Sequence, residues 1–84
     1  MNEVIYAKKA AKQLRKLQPS DNKMVRRECN KLANMPDCTN VKALVNHEHS
    51  YRLRVGNFRV FFDFDGAARI VSIEEVKKRD ERTY

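Results

Sequence analysis

The sequence predicts an α+β fold with the order β-α-α-β-β-β-β, an antiparallel sheet covered on one face by a helical hairpin. Three observations lead there. Apolar residues recur at helical spacing in two successive segments between Ala7 and Met35. Apolar and polar residues alternate from Tyr51 to Phe64, the mark of half-buried strands. The helical segments sit together and most strands follow them, which separates α+β from an alternating α/β order. The 84 residues make one domain, 1–84, with no linker or internal repeat. A chain of this size buries roughly 60–65% of its unfolded surface, enough for one sheet and two helices.

Each element has its own warrant. Glu3 to Ala7 contains Val4, Ile5 and Tyr6, all β-prone, and reads as the first strand. Ala7, Ala10, Ala11, Leu14 and Leu17 then form one helical stripe, with Lys8, Lys9, Lys12, Arg15 and Lys16 as its solvated face. Pro19 ends this helix near Leu17 or Gln18. Ser20 and Asp21 are N-cap residues for a second helix, whose stripe is Met24, Val25, Cys29, Leu32 and Met35. Pro36 stops it. So short a link predicts an antiparallel helical pair. Pro36 to Asn40 is a loop and Val41 to Val45 a strand. Asn46 to Ser50, with His47, Glu48 and His49, is a loop or strand end. Asp65-Gly66 signals a turn, Ala68 to Glu75 the last strand, and Lys77 to Tyr84 a short helix or extended tail. The first strand is free to pair with either neighbour.

The segment Tyr51 to Phe64 organises the rest. Gly56-Asn57 between two alternating runs signals a hairpin, because both residues tolerate positive φ. A two-residue turn sets Val55 against Phe58, Leu53 against Val60 and Tyr51 against Phe62. On the other face Arg54 opposes Arg59, and Arg52 opposes Phe61. Like charges directly opposed are destabilising. Three arginines and an exposed aromatic on one face therefore point to a polyanion, with Phe61 free to stack on a base. The plain alternative is a solvated sheet face.

Eighteen Lys+Arg against eleven Asp+Glu give a net charge of +7. That balance favours an acidic partner: nucleic acid, an acidic protein or a membrane surface. No apolar run approaches a membrane span and the first residues lack a signal-peptide core, so the expected location is cytoplasmic. Cys29, Cys38, His47 and His49 match no zinc spacing, and the cysteines read as reduced and structural. There is no Ser/His/Asp signature, no P-loop and no metal or cofactor motif. What remains is a basic cluster: Arg52, Arg54 and Arg59, joined by Lys77, Lys78 and Arg79. Arginine forks hold phosphate oxygens in pairs and stay charged at working pH. RNA carries its own nucleophile, the 2′-hydroxyl, so a phosphate clamp with a proton acceptor and a donor is sufficient machinery.

Y-R-L-R-V-G-N-F-R-V-F-F, from Tyr51 to Phe62, resembles the central hairpin of the RelE/ParE toxin family of bacterial toxin–antitoxin pairs. V-K-K-R-D-E-R-T-Y, from Val76 to Tyr84, resembles that family's closing segment. The resemblance implies a two-layer fold of the same order. For the RelE branch it implies metal-independent endonucleolytic cleavage of mRNA in the ribosomal A site, which inhibits translation. On that analogy Arg52, Arg54, Arg59, Arg79 or Lys78, and Tyr84 are catalytic. Arg52, Arg54, Arg59, Phe61 and Lys77 contact RNA. The position that is often lysine in the family is arginine here, and arginine is a poor general base. Glu48, His49, Lys77 and Lys78 are the alternatives, with His49 otherwise an ordinary solvated loop residue. The implied partners are the ribosome with its mRNA and an acidic antitoxin, through which the complex binds operator DNA. The competing expectations are a ParE-like poison of DNA gyrase and a non-catalytic nucleic-acid-binding module.

Overall fold

A computed structural model describes residues 1–79 of the chain. The elements are β1 (Glu3–Tyr6), α1 (Lys8–Arg15), α2 (Pro19–Asn30), β2 (Val41–Ala43), β3 (Tyr51–Val55), β4 (Phe58–Asp65) and β5 (Ile70–Lys78). They form the expected α+β order, with a five-stranded sheet in the order β1-β5-β4-β3-β2. From β2 to β5 the strands make an antiparallel meander. β1 joins its outer edge parallel to β5, Glu3 opposite Ile70 through Tyr6 opposite Ile73. The sheet is therefore mixed, and the pairing left open by the sequence goes to the last strand.

The hairpin register is the one that alternation dictates. Tyr51 pairs with Phe62, Arg52 with Phe61, Leu53 with Val60, Arg54 with Arg59 and Val55 with Phe58. Gly56 has φ 53°, and Asn57 is not left-handed. A left-handed first central residue is the pattern of a type II′ turn, which suits glycine there.

The helix side of the sheet holds the core. Ala10 and Leu14 of α1 and Val25 and Cys29 of α2 are fully buried against Val60, Phe62, Val71 and Ile73. Lys8, Lys9, Lys12, Arg15 and Lys16 face solvent, as the stripe requires. Pro19 opens α2 instead of merely ending α1, with Gln18 at the N-cap, so Ser20 and Asp21 fall inside the first turn. Proline suits that position because its missing N–H has no partner in a first turn. After Asn30 the chain tightens into a 3₁₀ turn, Lys31–Asn34, which buries Leu32.

Three strand ends differ by two residues or more from the sequence expectation. One is the start of β5, at Ile70 instead of Ala68, because Arg69 is left-handed at φ 57°. β2 stops at Ala43, because Asn46 turns left-handed at φ 55° and Val45 points into solvent. β5 runs on to Lys78, because Val76 is a core residue and Arg59 and Phe58 provide partners for Lys77 and Lys78. Lys77 and Lys78 thus belong to a strand, Arg79 follows it, and the expected tail beyond Arg79 lies outside the described residues. A bulge in β5 opposite Phe61/Phe62 resets the side-chain alternation, so Ile73 and Val76 both face the core.

Candidate functional site

The face of the sheet away from the helices is arranged in rows across the strands. The row nearest the Gly56-Asn57 turn is Arg54, Arg59 and Lys77, side by side on β3, β4 and β5. The next is Arg52, Phe61 and Glu75. Beyond it lies Asp63, joined by His49 from the loop that precedes β3. Positive charge is thus concentrated at the turn end, with the Glu75 carboxylate one row away and that of Asp63 two rows away.

Arg52, Arg54, Arg59 and Arg79 line one shallow depression of about 90 Å³ beside the turn. Arg79 reaches it because β5 continues to Lys78 and the Arg79 N–H donates to the Asn57 carbonyl at 2.6 Å. Arg59 has no carboxylate at ion-pair distance among the described residues. The Arg52 Nε–H is buried without a hydrogen-bond partner. Guanidinium groups gathered around a concave surface are chemically suited to hold phosphate oxygens.

Two expected site residues sit differently. Phe61 is not exposed: only 9% of its surface is open, because the His47 ring lies over it with centroids 4.9 Å apart and planes 14° from parallel. Lys78 pairs with Phe58, a core-facing residue, so alternation puts it on the opposite face from Arg59 and outside the depression. Lys77 lies on the arginine face, with its Nζ 5.9 Å from the Phe61 ring centre. Tyr84 lies outside the described residues.

His49 also departs from expectation. Its side chain is 13% exposed and lodged between two carboxylates, with Nδ1 3.5 Å from Asp63 and Nε2 4.0 Å from Glu75. A loop histidine so enclosed is no solvated bystander. Burial pushes the Asp63 carboxyl up, but the Ser50 N–H bond at 2.9 Å and His49 outweigh it, leaving the pKa below its ordinary value. Glu75 follows the same balance: burial raises it, and Lys9 at 3.3 Å and Lys77 at 3.6 Å bring it below the ordinary value. Asp63 and Glu75 were missed as members of this constellation. The signal was present: with Tyr51 opposite Phe62, the next step back along β3 brings Ser50 and its neighbour His49 to Asp63.

Cys29, Cys38, His47 and His49 do not come together as four metal ligands. Cys29 is buried in the core, on the far side of the sheet from the two histidines. His49, Asp63 and Glu74 place ligand atoms within 4.8 Å of one another. Asp63 already accepts the Ser50 N–H, and Glu74 accepts the Ser72 hydroxyl.

Residues 4–83 match the family model of the ParE toxin of type II toxin–antitoxin systems, parDE. No curated protein matches the sequence. Among solved structures, the toxin–antitoxin complex RelBE2 from Mycobacterium tuberculosis is similar at 25% identity and a TM-score of 0.80, over 93% of this chain and 98% of that one. The archaeal RelE–RelB complex from Pyrococcus horikoshii is similar at 21% identity and a TM-score of 0.78, over 95% and 97%. The isolated E. coli RelE toxin shares 14% identity at a TM-score of 0.81, over 99% and 89%. Identities of 21% and 14% speak to fold alone.

Proposed function

We propose, since this chain belongs to the RelE/ParE family of type II toxin–antitoxin toxins, that it is a ribosome-dependent endoribonuclease that cuts mRNA in the ribosomal A site. The observation that carries this reading is the convergence of Arg52, Arg54, Arg59 and Arg79 on one depression. The 2′-oxygen of a ribose attacks the adjacent phosphorus, and the bond to the 5′-oxygen of the next nucleotide breaks. The products are a 2′,3′-cyclic phosphate and a free 5′-hydroxyl. The arginines hold the non-bridging oxygens, whose charge grows in the phosphorane. Of the proton carriers considered, His49 and Lys77 lie on the arginine face and Lys78 on the other. Tyr84 keeps the role that the family resemblance gives it.

The partner follows from the same membership. The solved relatives from M. tuberculosis and P. horikoshii are complexes with RelB-type antitoxins. A chain of net charge +7 is suited to an acidic antitoxin segment, which would also carry the complex to operator DNA. Among the described residues no helix is long and apolar enough to cross a membrane. A protein that works on ribosomes acts in the cytoplasm.

The second reading is a gyrase poison, favoured by the family model's being that of ParE. One assay separates the two. Purified protein is incubated with programmed ribosomes and with the same message alone. The nuclease reading expects cuts within codons on ribosomes, at a rate at least about a hundredfold above that on naked RNA, since substrate alignment contributes several kcal/mol. Intact message together with gyrase-dependent DNA breaks would assign the second reading instead.

A further inference from the structure

We propose that Phe61 is a nucleobase-stacking subsite that the chain itself covers with His47, so that the imidazole competes with substrate for the ring. The inference rests on RNA being the ligand of the arginine face.

Phe61 sits where a polar residue belongs. It points away from the helices, in a row with Arg52 and Glu75, on a face otherwise built of charge. It is sheltered because a loop residue lies flat upon it. The His47–Phe61 geometry, 4.9 Å and 14°, is that of two stacked planar rings. His47 itself is exposed, so the cover is held by one face of its ring and by the His49 N–H, which donates to His47 Nδ1 at 2.9 Å. Its loop is tied down at Ser50, whose N–H reaches Asp63, and carries Val45 84% exposed at its other end. A flat, polar, exposed ring on an outward phenylalanine occupies the volume that a base would take.

The surroundings fit the rest of a nucleotide. Arg52 lies directly across the strand from Phe61 and its Nε–H is buried with no acceptor. Lys77 stands at the ring's other side. Arg59 is two residues along the same strand, so a phosphate in the arginine depression leaves one base within reach of Phe61. Aromatic stacking accepts any base, which suits a subsite that positions RNA more than it reads sequence.

The test measures binding without cleavage. A short single-stranded 2′-O-methyl RNA carrying 2-aminopurine has no attacking hydroxyl, and its fluorescence falls when the base stacks on a side chain. Wild type, His47→Ala, His47→Phe and Phe61→Leu are titrated at low salt, with thermal melts on the same preparations. His47→Ala should bind roughly three- to tenfold tighter with stronger quenching, because the competitor is gone. His47→Phe, a better cover, should bind more weakly than wild type. Phe61→Leu should lose the quenching and roughly tenfold in affinity while melting cooperatively. Unchanged or weaker binding by His47→Ala, or full quenching by Phe61→Leu, overturns the proposal. So does tightening toward an acidic peptide but not RNA, which would make Phe61 a protein contact. Cleavage on programmed ribosomes is scored separately and stands or falls on its own.

Discussion

Arg59 is flanked by like charge on both sides, Arg54 on β3 and Lys77 on β5, with no carboxylate at ion-pair distance among the described residues. Each direct opposition costs about 0.2–1 kcal/mol. Arg59→Ala should therefore leave the melting temperature unchanged or slightly raised. Single-turnover cleavage on ribosomes should nonetheless fall by about a hundredfold or more, because a contact to the phosphorane is lost. An earlier melt with activity lost only in step with unfolding would mark the arginine as structural. The alternation on either side of Gly56-Asn57 was enough to place Arg52, Arg54 and Arg59 on one face in the right pairs. It could not show that Phe61 is covered or that His49 is enclosed. Both depend on where an excursion of irregular backbone between β2 and β3 folds back, and no periodicity encodes that.

At the level of elements, β5 is paired by β1 only as far as Ile73, and α1 covers the remainder of the strand. The Gln13 side-chain oxygen accepts the Val76 N–H at 2.6 Å, and Lys9, one turn earlier on the helix, meets Glu75. A helix side chain thus takes the place of the missing strand partner. Gln13→Ala should destabilise by about 1–2 kcal/mol, the cost of leaving a half-buried amide without its acceptor. Hydrogen exchange should quicken at Val76 more than at Val60 or Val71. Uniform quickening across the sheet would show that Gln13 matters only through general packing. The helices and the hairpin were legible because their periods differ and glycine and prolines punctuate them. The parallel pairing of β1 and the bulge in β5 were not, since both are settled by packing between segments far apart in the chain.

For the molecule as a whole, the +7 charge is unevenly used. The basic groups of α1 are solvated, while the four arginines at the turn share one depression. Single-stranded RNA that presents a separate phosphate to each of the four should show a log–log salt slope of roughly −3, about −0.7 per phosphate contacted. Affinity should drop about fiftyfold between roughly 50 and 200 mM salt on that slope. A nearly flat dependence would mean that the arginines do not bear on phosphate. The sequence predicted the charge, its sign and a cluster that joins Arg79 to Arg52, Arg54 and Arg59. It did not predict that Lys78 falls on the other face, which depends on the register of β5 against β4.

Among the described residues β5 is the last strand in sequence, yet it stands second in the sheet, between β1 and β4. Without it β1 has no partner strand, α1 has little to rest on, and the arginine depression lacks one of its four walls. Translation proceeds from the N-terminus, so a chain whose residues 70–79 are still within the ribosome holds an unfinished sheet. The same placement makes folding wait for distant segments to meet, so the arginine depression is complete only once β5 has emerged.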